Sequence, residues 1–170
     1  MAIMSDAQRG PVEPGAADPA GTAADRALGV VRGYAAHDAG AVTEALARAD
    51  EAAQQQTYAV LGGLLRSTLA LVQLTGRELR TGEVVRLADE VAAVAPADYE
   101  FTVTEAVRAW ARGDQEGFRS ANAADPLGGL HVTAVLTALL GLALWGREAF
   151  LDVLTAYEEV TRTPVVPPEG

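Results

Sequence analysis

The sequence predicts an all-α protein: a bundle of about eight short helices, arranged as two pseudo-equivalent four-helix halves from an internal duplication. Three observations lead there. Apolar residues make up 49% of the chain but aromatics only 5%, much of the apolar share is alanine, and there is one isoleucine, Ile3. Alanine has the best helix propensity of all residues, so this composition favours helix over sheet. The apolar positions recur with the three-to-four-residue spacing of amphipathic helices. Finally, "VRGYAAHDAG" from Val31 to Gly40 is nearly rewritten as "VRAWARGDQEG" from Val107 to Gly117, 76 residues on.

Taken in order, residues 1–21 are rich in Pro, Gly, Ala and Asp without periodicity and read as a disordered tail. Residues 22–162 form a single helical domain, its first half 22–95 and its second 99–162. Helix one is expected over 22–36 and helix two over 39–49, with Val42, Ala45, Leu46 and Ala49 on one face. Helix three is expected over 57–74, closed by Gly76, with a kink or a close helix contact at Gly62-Gly63. Helix four follows Thr81 as N-cap, buries Val84, Leu87, Ala88 and Val91, and stops at Pro96. Helix five covers 99–112 and helix six 115–123. The run "VTAVLTALLGLALW", Val132 to Trp145, anchors a buried helix seven over 130–145. Helix eight, 147–160, packs Phe150, Leu151, Leu154 and Tyr157. Residues 163–170, "TPVVPPEG", are a proline-rich C-terminal tail.

The repeat aligns Val31 with Val107, Arg32 with Arg108, Tyr34 with Trp110, and Asp38 with Asp114. At a spacing of 70, Gly76-Arg77-Glu78 matches Gly146-Arg147-Glu148, and at 69 the acidic pairs Asp89-Glu90 and Glu158-Glu159 align. Each phrase reads as a helical hairpin whose aspartate N-caps the second helix. Halves built this way should superpose, with Tyr34 and Trp110 both largely buried. The stretch Ala106–Pro126 is similar to one hairpin of a tetratricopeptide repeat, but that family's period is 34 and this chain repeats at 69–76. The family is therefore not assigned.

Composition also bounds the chemistry. All 13 basic residues are arginine, which reads as the codon bias of a high-GC genome of the actinobacterial kind. Without lysine there is neither a P-loop lysine nor a Schiff base; without cysteine there is no thiol nucleophile, disulfide or cysteine zinc site. A net charge of −10 with scattered arginines disfavours nucleic acid and anionic membranes. The 14-residue apolar run is shorter than a membrane span, and with no secretory signal visible the expected location is cytoplasmic.

His37-Asp38 invites comparison with HD-type metal phosphohydrolases, but those need further histidines, and only His131 remains. Neither histidine closes a Glu-x-x-His pair of a di-iron bundle. No catalytic, cofactor-binding or metal-ligating set is therefore expected. Arg32, Arg108, Trp110 and His131 are the candidate contacts to a ligand or partner. Two functions fit: a non-catalytic protein–protein interaction or structural/accessory protein, docking a partner or self-associating as a homodimer; or a small-molecule-binding bundle, with or without enzyme activity, with a pocket between the halves. Arginines facing a cavity without carboxylate partners would favour the second; arginines paired at the surface, the first.

Overall fold

The richest apolar run of the chain decides the architecture. A helix apolar on every side cannot present a polar face to water, so it needs neighbours all round. The computed structural model describes residues 19–123 and 125–162, and in it that helix is central. The described residues form eight helices and no strand: α1 (Pro19–Ala36), α2 (Ala39–Leu46), α3 (Glu51–Thr75), α4 (Thr81–Ala92), α5 (Ala97–Ala111), α6 (Gln115–Ala123), α7 (Pro126–Trp145) and α8 (Arg147–Arg162). The predicted all-α bundle of about eight helices is what the described residues form.

Every residue of α7 from Gly128 to Ala143 is buried, beneath α1, α3, α4, α5, α6 and α8. Its hydroxyls fold back on its own backbone, Thr133 donating to the Gly129 carbonyl at 2.9 Å and Thr137 to the Thr133 carbonyl at 2.8 Å, so burial leaves neither unpaired. Gly141 has a packing reason: a Cβ there would come within 2.3 Å of the Phe150 ring of α8. The surrounding helices thus cover α7 from Gly128 to Ala143.

α3 lies along α7 in the same direction. Glu51 and Gln54 at its start share a cleft with Asp125 and Pro126, and Arg77 just after its end donates to the Leu144 carbonyl at 3.3 Å. Both helices are long and apolar enough to cross a membrane. The most apolar window of α7, however, is 83% buried in the protein and that of α3 only 17%. On α3 only Thr57, Leu61 and Thr68 are fully buried. The expected close contact at Gly62-Gly63 is absent: a Cβ on Gly63 would meet nothing within 4 Å.

Several boundaries move for physical reasons. α1 begins at Pro19, inside the span expected to be a tail; residues 1–18 and the C-terminal span 163–170 lie outside the described residues. α3 starts at Glu51 rather than 57 because Asp50 caps it, accepting from the Ala53 N–H at 2.8 Å. α7 starts at Pro126 because Asp125 accepts from the Leu127 and Gly128 N–H groups and proline fits the first helical turn. Thr81 is not the cap of α4 but its first residue, and Arg80 before it gives no side-chain cap.

The two repeated phrases fold into the same turn. In each, the residue before the aspartate is left-handed, His37 at φ 59° and Gly113 at φ 73°. The N–H of that residue donates three residues back, to the carbonyl of Tyr34 or Trp110, and the next N–H five back, from Asp38 to Gly33 or from Asp114 to Ala109. This is the Schellman arrangement, which satisfies carbonyls orphaned at a helix end. The same aspartates then cap the following helix, Asp38 accepting from the Ala41 N–H at 3.0 Å and Asp114 from the Gly117 N–H at 2.9 Å.

Candidate functional site

Arg32, Arg108, Trp110 and His131 do not converge. Arg32, on the outer side of α1, reaches α8: its Nη1 donates to the Thr155 hydroxyl at 3.2 Å, and its Nη2 lies 3.1 Å from a Glu158 carboxylate oxygen, an ion pair off the angle of a hydrogen bond. Arg108, on α5, donates to Asp89 of α4 at 3.0 Å and lies 3.6 Å from Glu105. Both arginines are thus paired with carboxylates, Arg108 at the surface and Arg32 at the edge of a shallow hollow of about 370 Å³ that Glu158 also lines.

These ion pairs run crosswise. The matched arginines of the repeat bind the matched acids of the opposite half, Arg32 of the first to Glu158 of the second, Arg108 of the second to Asp89 of the first. Accordingly α8 packs on α1, and α4 on α5. The two candidate arginines are thus partners of the two acidic pairs that the sequence aligns.

His131 is a core residue. It is buried on α7, its Nδ1 2.7 Å from the Tyr34 hydroxyl of α1, and its ring stacks on that of Tyr99 from α5 at 4.9 Å. Burial pushes the imidazole down to about 4, against a smaller opposing effect of Asp125, and pushes the Tyr34 phenol up. Imidazole and phenol therefore both stay neutral, and they share one hydrogen bond between the hydroxyl and Nδ1. Tyr99 is also raised, by burial and then by Asp125 and Asp98. The three rings tie α1, α5 and α7 together.

Trp110 corrects an expectation. Tyr34 is fully buried, but its counterpart Trp110 is only partly so. Trp110 and Asp114 border a hollow of about 170 Å³ with Phe118, smaller than the roughly 300 Å³ at which ligand pockets begin. Tyr157, expected to pack inward, is 46% exposed.

Two features were not located by sequence reasoning, although a pocket between the halves was one of its two alternatives. One is a cleft of about 400 Å³ between α3 of the first half and the α6–α7 junction of the second, lined by Glu51, Gln54, Tyr58, Asn122 and Asp125 among others. The Asp125-Pro126 helix start was the legible signal for it. None of the four candidates lines this cleft, and its charged lining is acidic only. The other is apolar surface: Leu74 on α3, Phe101 on α5 and Val160 on α8 are each more than 70% exposed. Among the described residues, no group of three His, Asp or Glu side chains is placed to hold a metal ion. Compared with protein-family models, curated proteins and solved structures, the chain matches none.

Proposed function

We propose that this chain is a non-catalytic helical interaction protein that docks a protein partner, in the cytoplasm. One observation carries the reading: the fold buries its most apolar helix from Gly128 to Ala143, yet leaves large apolar side chains bare on three others, α3, α5 and α8. Exposed apolar surface that a monomer does not bury marks interaction sites. The pairing of Arg32 and Arg108 with carboxylates points the same way, since neither guanidinium is left for an anionic ligand.

The second reading, a small-molecule-binding bundle, has its own observation in the cleft between the halves, whose volume is within the range of ligand sites. Photo-crosslinking in the native cell separates the two. A photoreactive residue placed at Leu74, Phe101 or Val160 is expected to join the chain to a discrete protein. Absence of any crosslinked protein, together with a small molecule that raises Tm by several degrees in the parent but not in Asp125→Asn, would overturn the interaction reading in favour of the cleft.

A further inference from the structure

We propose that the outward side of α8 is the docking site, and that its occupant is a basic amphipathic helix of a partner protein. The proposal rests on the interaction reading above and adds the surface and the partner's chemistry.

α8 carries two apolar stripes. The inner one, Phe150 and Leu154 with Leu151, faces α1 and α7. The outer one, Ala149, Val153, Ala156 and Val160, is spaced four, three, four, the spacing of a coiled-coil seam. All four residues are exposed. At the start of the helix the stripe opens into a shallow hollow bordered by Trp145, Arg147, Glu148, Ala149 and Asp152, with the Arg147 guanidinium bonded to His37 and the Trp145 indole stacked on Phe150 at 5.8 Å. An apolar stripe beside a hollow backed by an aromatic ring suits a helix laid lengthwise with one anchoring side chain.

The flanks choose the occupant. Asp152 and Glu159 precede Val153 and Val160, seven residues apart, and make one flank acidic. Tyr157 follows Ala156 on the other and offers a ring face to a guanidinium or ammonium group. A second copy fits this pattern poorly. Antiparallel pairing sets like flanks together, acid against acid, and parallel pairing sets acid against tyrosine, with no opposite charge in either. Each copy also carries a net charge of −10. A partner helix with Leu or Ala on its seam and Arg beside it satisfies both flanks.

The test uses the full chain and two labelled peptides of about three heptads, with Leu and Ala on the seam and either Arg or Glu at the flanking positions. The Arg peptide is expected to bind, and to bind at least tenfold more tightly than the Glu peptide. Its affinity should fall as salt rises, and at least tenfold in Val153→Asp/Val160→Asp with Tm unchanged, since both side chains lie outside the core. Asp152→Asn/Glu159→Gln should flatten the salt dependence while keeping some binding. Equal binding of both peptides, or undiminished binding to the valine variant, would overturn the proposal. So would light scattering that shows a dimer which the valine variant splits, because the seam would then be taken by a second copy. Crosslinks to a protein from Leu74 or Phe101 but not from Val160 would remove this surface while leaving the interaction reading in place.

Discussion

The hairpin α1–α2 and the hairpin α5–α6 make the same turn with the same hydrogen bonds, yet they stand in different surroundings. Tyr34 of the first is sealed under α7 and bonded to His131; Trp110 of the second is partly buried beside Phe118. In the first hairpin a Cβ on Gly33 would come within 2.8 Å of the Val42 backbone nitrogen and side chain, while the matching position of the second is already alanine, Ala109. The first hairpin is therefore closed more tightly. A local phrase sets the turn, because an aspartate, a left-handed residue and orphaned backbone groups act within six residues of one another. How deeply the turn sits depends on which helix lies over it, and no phrase of ten residues contains that.

The largest effect expected is a difference between the aromatics. Tyr34→Ala removes a fully buried ring and strips His131 of its partner, and should cost about 4 kcal/mol. Trp110→Ala removes a larger but partly exposed ring and should cost about 2 kcal/mol. Urea denaturation of both variants measures the gap. Equal costs would mean that the two hairpins are buried alike.

The first hairpin should also carry a pH dependence that the second lacks. His131 sits at about 4 in the folded chain and near 6.5 when unfolded. Its contribution is complete above pH 6.5, where both states are neutral. As pH falls from there the unfolded chain takes up the proton first, so stability declines until about pH 4 and then levels off. At about 1.4 kcal/mol per unit the loss approaches ~3 kcal/mol. Denaturation midpoints of the parent between pH 7 and 4 should fall more steeply than those of His131→Gln; parallel slopes would refute the assignment.

The closer approach in the first hairpin gives a third contrast. In an exposed helix, glycine to alanine stabilises. Gly33→Ala should instead destabilise by about 1–2 kcal/mol, because the new Cβ meets backbone at Val42 that cannot swing aside. Gly63→Ala on α3, with nothing near its Cβ, should stabilise by about 0.5–1 kcal/mol and serves as the control. Thermal unfolding of the pair checks both signs.

These contrasts show how far the sequence could be read. The helices, the turns and their aspartate caps were legible, because propensity, apolar spacing and N-cap chemistry are local. The start of α7 was legible too, in Asp125-Pro126, but the apolar run further on drew the boundary late. What one residue sees of another across the fold was not legible. Arg32 and Glu158 lie far apart in sequence, and Arg108 and Asp89, though only 19 residues apart, belong to different helices, so the two arginines looked free when each is paired with a carboxylate. The enclosure of α7 was legible in its unbroken apolar run, but the place of α3 was not: α3 is also long and apolar, and only its neighbours leave it at the edge. The outer stripe of α8 could have been found, since Ala149, Val153, Ala156 and Val160 stand at seam spacing; the stronger inner pattern of Phe150 and Leu154 masked it.

The smallest effects concern the turn itself. If both aspartates act as caps in the same way, Asp38→Ala and Asp114→Ala should each cost about 1 kcal/mol, whatever lies over their hairpins. The left-handed residue beside each is where the two turns differ. A side chain at positive φ brings its Cβ against the backbone, at a cost of about 1 kcal/mol that glycine does not bear. The second hairpin meets the requirement with Gly113, but the first places His37 there, at φ 59°. Its imidazole gains little in return. It accepts a hydrogen bond from Arg147 at 3.2 Å on the exposed surface, and burial with that neighbouring guanidinium lowers its pKa below the ordinary value. Contacts of that kind at a surface contribute little. His37→Gly should therefore stabilise the protein by somewhat under ~1 kcal/mol, the relief of strain less the lost contact and the added freedom of the unfolded chain. Gly113→His should destabilise the second hairpin by a similar amount. Thermal unfolding at pH 7.5, where both states of the imidazole are neutral, isolates the backbone effect. A His37→Gly chain less stable than the parent would show that the Arg147 contact outweighs the strain, and that the first turn is held by its side chain where the second is held by its backbone.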